Sequence, residues 1–224
     1  MNYINNYKVE GIPESVFYIP DFITSKEEEE ILYNVYSAPK PKWTCLLNRR
    51  LQDYGGVPSE KGMIPDKIPQ WLQKYMDRIT GLYVFGEKKP NHVLVNEYLP
   101  GQGIMPHTDG PLFYPTITTI SCGSHTLLRF LENDSERKKI CDILVERCSL
   151  LVIQGDMYSK YLHSIEGTSC DILSKDCVNI RNTSNKYDIG QSLKRDTRIS
   201  ITIRNVPKVL KIGLWHNSNK ASKK

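Results

Sequence analysis

The rhythm of apolar and polar positions changes near residue 90. Before it, residues 66–79 place Ile68, Trp71, Leu72, Tyr75, Met76 and Ile79 at helical spacing, which predicts an amphipathic helix closed by Gly81. That stripe reads as a core face. Ser25 with Glu28 reads as a capping box opening another helix through Ile31, Leu32, Val35 and Tyr36, and residues 15–22 (SVFYIPDF) read as a short strand ahead of it. After residue 90 the texture becomes short strands separated by turn residues, the signature of a sandwich or barrel. Strands are expected at 92–98, 116–122, 126–131, 149–154, 160–165 and 197–206. Residues 167–190 are polar and aperiodic, and are expected to form a mobile surface insertion. The sequence holds no internal repeat and no low-complexity run.

Alternation within those strands sorts the chemistry. In TRISITIR, Ile199, Ile201 and Ile203 make one face aliphatic, while Arg198, Ser200, Thr202 and Arg204 occupy the other. A polar face on an antiparallel edge is ordinarily just solvated. Here it follows His107-Thr108-Asp109 and His163, and that company favours a binding role. Side chains two apart in a strand share a side, so His107 and Asp109 are expected to point together, with His163 facing them from another strand. Two imidazoles and a carboxylate can hold one divalent metal and leave positions open. That arrangement suits non-haem Fe(II), which must also bind a chelating co-substrate and O2. Structural zinc takes four protein ligands instead. The arginines offer fixed positive charge for a dicarboxylate. They lie about 20 Å apart along an ideal strand, at roughly 3.3 Å per residue, so they serve opposite ends of a site. His92, His125 and His216 have no such partner pattern and read as packing or surface residues.

Length and composition narrow the rest. With 224 residues the chain can bury a full core as one domain or one domain with an N-terminal elaboration. The N-terminus lacks an apolar signal region, and no stretch of about 18 apolar residues exists, so no membrane role is expected. The six cysteines form no Cys-x-x-Cys pair and match neither a zinc ribbon nor a disulfide scaffold, so they read as reduced intracellular thiols. A formal charge of +5 is a mild basic bias, compatible with nucleic acid. Two clusters stand out: Lys40, Lys42, Arg49 and Arg50 around Trp43, and the run Lys208, Lys211, Lys220, Lys223 and Lys224.

Taken together, Asn96-x-Tyr98-x-Pro100-Gly101 leading into His107-x-Asp109, then His163-x-Ile165, then Arg198 through Arg204, resembles the AlkB family of Fe(II)/2-oxoglutarate dioxygenases. The resemblance spans residues 15–212 and includes NRRLQDYGG (48–56), similar to the family's substrate-lid segment. It implies a mainly β fold with α, a double-stranded β-helix (jelly-roll) core with supporting N-terminal helices. Residues 1–90 would form a helical and lid extension packed on the core. Residues 91–212 would form the dioxygenase core, with the insertion at 167–190, and residues 213–224 a basic tail. The resemblance makes His107, Asp109 and His163 the iron ligands and catalytic centre. Arg198 would hold the distal carboxylate of 2-oxoglutarate, assisted by Asn96 and Tyr98, with Arg204 nearer the metal and Ser200 and Thr202 on the same face. One departure concerns the substrate. The founding bacterial member has a substrate-reading carboxylate two residues beyond the ligand aspartate, and that place is Pro111 here.

The expected reaction is oxidative demethylation or hydroxylation of nucleic acid bases, DNA or RNA, by a monomer in the nucleus or cytoplasm. A base in a duplex must be flipped out to reach a metal. Trp43 and Tyr54 are candidate stacking residues, and Lys42, Arg49 and Arg50 candidate phosphate contacts. Two alternatives stay open: a dioxygenase acting on a protein side chain, and a non-catalytic nucleic-acid-binding module.

Overall fold

The structure, a computed structural model, describes residues 3–13 and 15–211. The tail expected at 213–224, with His216, Lys220, Lys223 and Lys224, lies outside the described residues. The N-terminal part supplies β1 (Val16–Ile19), α1 (Ser25–Tyr36), β2 (Thr44–Leu46), β3 (Arg49–Tyr54) and α2 (Gln70–Thr80). There follow β4 (His92–Tyr98), β5 (Ile104–His107), β6 (Thr116–Cys122), β7 (Thr126–Leu131), β8 (Lys139–Val145) and β9 (Leu150–Gln154). The chain ends with α3 (Gly155–Ser159), β10 (Leu162–Ile165), β11 (Cys170–Ile172), β12 (Ser192–Lys194) and β13 (Arg198–Arg204).

The strands form two principal sheets, β1-β9-β6-β13-β4-β3-β2 and β5-β10-β7-β8, with all pairings antiparallel. This is the jelly roll that the resemblance implies. The interior between the sheets joins Tyr98, Ile117, Leu151 and Ile153 of the larger sheet to Leu128, Phe130, Ile143 and Ile165 of the smaller. The outer face of the larger sheet, including Val93, Val95, Ile199, Ile201 and Ile203, packs against Ile31, Val35, Leu72 and Met76 of α1 and α2. The isoleucines of β13 therefore face helices, and its polar residues face the space between the sheets. Because β1, β2 and β3 all belong to the larger sheet, the boundary expected at residue 90 falls inside one sheet.

Three element boundaries move for identifiable reasons. The capping box at α1 is Thr24 with Glu27, one residue earlier than expected: Glu27 N donates to Thr24 Oγ1 at 3.2 Å, and Thr24 N donates to Glu27 Oε2 at 3.0 Å. Glu28 is buried instead, pairing with Arg147 and accepting from Gly123 N at 2.8 Å. Helix α2 begins at Gln70, because Pro69 restricts the residue before it and sits as the N-cap. Strand β1 stops before Pro20, which lacks an N–H for the ladder.

The insertion at 167–190 is packed, contrary to the expectation of a mobile excursion. Strands β11 and β12 pair across it, and Leu173 and Cys177 are buried against Leu127 and Leu144. Asn179 is fully buried, donating to Leu144 O and accepting from Leu144 N, both at 2.8 Å. The Glu146 carboxylate accepts from Ser184 N at 2.8 Å, Asn185 N at 3.2 Å, Tyr187 Oη at 3.0 Å and Tyr18 Oη at 2.9 Å. Strand β8, absent from the expectations, is the edge that this segment covers. Replacing Asn179 with alanine leaves two buried backbone groups unpaired. At roughly 1–3 kcal/mol for each such group, urea denaturation should show a loss of about 2–6 kcal/mol.

Candidate metal and co-substrate site

His107 and His163 meet because β5 and β10 pair with these two residues directly opposite each other. Their ring centroids are 4.4 Å apart. The close approach requires Gly103: a Cβ there would stand 2.2 Å from Ile165 O. His107 Nδ1 lies 2.8 Å from Met105 O, so it donates there and leaves Nε2 free for a metal. Asp109 does not continue the strand as expected. β5 ends at His107, and Gly110 takes a left-handed φ of +81° that turns the chain. The carboxylate still comes alongside the imidazoles, for two other reasons. Arg204 Nη1 donates to Asp109 Oδ1, and Tyr158 Oη donates to Gly110 O at 2.6 Å.

Asp109 Oδ2 then lies 3.4 Å from His163 Nε2, and one ligand atom from each of the three residues falls within 4.8 Å of the others. Burial holds the His163 imidazole's pKa down to about 4, with Asp109 opposing and His107 and Arg204 adding to the shift. It is neutral at physiological pH, the state in which imidazole ligates a metal. Beyond the triad opens a cavity of about 590 Å³, reached by Asn96, Tyr98, Thr119, Arg198, Ser200 and Thr202. Thr119 and Thr202 hydroxyls lie 3.4 Å apart on its wall.

Arg198 sits at the far end of β13 and is 5% exposed. Nη2 donates to Ser121 Oγ at 2.8 Å, while Nε and Nη1 have no protein partner. Burial lowers its pKa to about 10. A guanidinium this deep with two idle donors fits an acidic ligand group, and a dicarboxylate supplies one. Arg204, at the other end, is stacked 4.0 Å over the Phe113 ring and committed to Asp109. Sequence reasoning passed over Ser121, Phe113 and Tyr158. Alternation in TITTISC would have found Ser121, since Ile117, Thr119 and Ser121 share the face opposite Ile120 and Cys122. Phe113 and Tyr158 act through loop contacts that no periodicity marks.

The hairpin β2–β3 divides the expected substrate residues. Arg49 lines the cavity, with Leu46, Leu47 and Asn48. Arg50 is on the opposite face, bound to Glu97 at 2.6 and 2.8 Å and stacked 4.1 Å over Trp43. Trp43 packs on the helix-side core, and Tyr54 is 8% exposed, edge-on to Trp71 and donating to Gln52 at 2.7 Å. Arg50 is therefore committed to an ion pair, and Tyr54 is too buried to stack on a base. The reason is the two-residue period of β3, which sends Arg50, Gln52 and Tyr54 toward α1 and α2.

Comparison with known proteins decides the family. The family model of the 2OG-Fe(II) oxygenase superfamily matches residues 40–204. The chain belongs to that superfamily. A Danio rerio protein described as "Probable RNA/DNA demethylase ALKBH6" is 50% identical, over 95% of this chain and 94% of that protein. An uncharacterized protein of Acanthamoeba polyphaga mimivirus is 31% identical, over 85% of this chain and 84% of that one. The solved structure of OsALKBH1 shares the fold with a TM-score of 0.60 at 14% identity, covering 88% of this chain and all of that one. The AlkB-like reading stands on the first of these likenesses. The oxygenase is an oxidoreductase using Fe(II), 2-oxoglutarate and O2. Among its described residues, no helix is long and apolar enough to cross a membrane. None of its described cysteines is bridged.

Proposed function

We propose that the oxygenase removes alkyl groups oxidatively from bases of DNA or RNA, acting as a monomer in the nucleus or cytoplasm. The observation that carries this reading is the open side of the site. The His107, Asp109 and His163 cluster faces a cavity roofed by a hairpin whose tip, Leu47, is 93% exposed. The 50% identity to a protein described as a probable RNA/DNA demethylase supports the same substrate class.

In this reading His107, Asp109 and His163 hold Fe(II), and the two nitrogens of Arg198 without protein partners hold the far carboxylate of 2-oxoglutarate. When bound, the metal with 2-oxoglutarate and O2 supplies oxidation of a C–H bond, one oxygen atom entering the product and the other succinate, with loss of CO2. A hydroxylated N-methyl group then releases formaldehyde and leaves the base demethylated. Arg204 fixes the Asp109 carboxylate, so the ligand set is pre-organised before any substrate arrives. Leu46, Leu47 and Met105 make the rim apolar, which suits the face of a base withdrawn from its stack. Pro111 is exposed and offers no carboxylate, so base selectivity is expected to be weak.

The test is a mass-spectrometric screen of methylated oligonucleotides and methylated peptides with Fe(II), 2-oxoglutarate and ascorbate. Formaldehyde release from oligonucleotides supports the reading, and turnover confined to peptides overturns it. Leu47 supplies a companion prediction. Full burial of a leucine contributes about 1.5–3 kcal/mol, so Leu47→Asp should weaken single-stranded oligonucleotide binding about tenfold or more. Its affinity for 2-oxoglutarate should stay at the wild-type value.

A further inference from the structure

Arg49 is the one cation of the hairpin that turns inward. β3 pairs with β4 so that Leu51 lies opposite Asn96, and β4 pairs with β13 so that Asn96 lies opposite Ser200. From its place at the start of β3, Arg49 reaches across, and its Nε donates to Asn96 Oδ1 at 3.2 Å. Asn96 is buried on the cavity wall. An arginine Nε–H can only donate, so the Asn96 atom that meets it must be the amide oxygen. The amide nitrogen is thereby left as the free end. It has no protein partner among the described residues and lies on the same cavity that Arg198 and the metal cluster share.

The geometry points to Arg49 as a positioning residue for 2-oxoglutarate: it fixes the Asn96 amide so that N–H, and not oxygen, is presented to the co-substrate. Every polar atom of 2-oxoglutarate at neutral pH is an acceptor. An amide turned nitrogen-first attracts it, and one turned oxygen-first repels it. Among the described residues, Arg49 makes the one hydrogen bond to the Asn96 side chain that distinguishes the two orientations. The same contact ties the hairpin strand to the floor of the cavity, since β3 is held on its inner side by β4 while β2 forms the edge. This inference rests on the oxygenase's co-substrate and is independent of whether its substrate is a nucleic acid.

The test is equilibrium binding of 2-oxoglutarate to Mn(II)-loaded full-length protein, with no turnover and no oligonucleotide present. Arg49→Met should weaken 2-oxoglutarate by about three- to tenfold, the loss expected for one well-placed hydrogen bond, with Mn(II) affinity unchanged. Asn96→Ala should weaken it at least as much. The double variant should match Asn96→Ala alone, because Arg49 then has no amide to orient. Asn96→Ser takes the same place in the cycle should the alanine variant fail to fold. Wild-type affinity in Arg49→Met overturns the inference. So does a loss that persists undiminished in the double variant, which would mean that the arginine acts through its own charge on the dianion.

Discussion

His163→Ala is expected to abolish conversion of 2-oxoglutarate to succinate and to lower Fe(II) affinity by more than a hundredfold. Losing an outer-shell partner of a metal ligand typically costs about ten- to a hundredfold, and His163 is placed to be a ligand itself. Its imidazole stands 3.4 Å from the Asp109 carboxylate and is held neutral by burial. No other described His, Cys, Asp or Glu joins the cluster to replace it. Anaerobic calorimetry with Fe(II) or Mn(II) reads the affinity directly, and circular dichroism checks that the fold survives. Metal affinity at the wild-type value in His163→Ala would sink the assignment of all three ligands, since a two-ligand remnant cannot hold the ion as tightly.

Which parts of this site were legible beforehand follows from how each part is built. The face of β13 carrying Arg198, Ser200, Thr202 and Arg204 obeys strict alternation, and the aliphatic face opposite is covered by helices. Period-two patterning therefore located the cavity wall directly. The same rule applied to β3 would have separated Arg49 from Arg50 and sent Tyr54 inward. The lid that the resemblance implies for residues 48–56 leaves every side chain free, and so hides that alternation.

Asp109 is the opposite case. Strand alternation predicts its side, but the strand ends at His107, and the carboxylate is delivered by a left-handed glycine and an arginine six strand positions from Arg198. The conclusion survived although its reason did not. Residues 167–190 failed for a third cause. Their order comes from long-range satisfaction of buried polar groups, chiefly Asn179 on Leu144, and Tyr18 of β1 with Ser184, Asn185 and Tyr187 on Glu146. Such contacts leave no local periodicity to read.

Arg198→Met should separate stability from co-substrate binding. Arg198 is protonated in both the folded and unfolded states at pH 7, because even its lowered pKa lies near 10. The cost of burying that charge is thus carried in full at neutral pH, and would be relieved only as pH rises through the folded value. With no acidic partner among the described residues, the guanidinium is supported mainly by the Ser121 hydroxyl. A methionine of similar length removes the charge and leaves apolar packing, a replacement that is often neutral or stabilising at buried ionic positions. Without co-substrate the variant should therefore unfold at the wild-type temperature or above it. With co-substrate the order reverses. Wild-type protein at a hundred times the dissociation constant gains about 2.7 kcal/mol. Charged hydrogen bonds contribute roughly 1.5–3 kcal/mol each, so the variant should bind 2-oxoglutarate at least about a hundredfold more weakly and gain almost nothing. Thermal denaturation of the Mn(II) protein with and without 2-oxoglutarate measures both effects at once. An equal co-substrate-induced shift in the two proteins would remove Arg198 from the carboxylate. If the shift vanished instead in Arg204→Met with Mn(II) still bound, the two arginines would have exchanged roles.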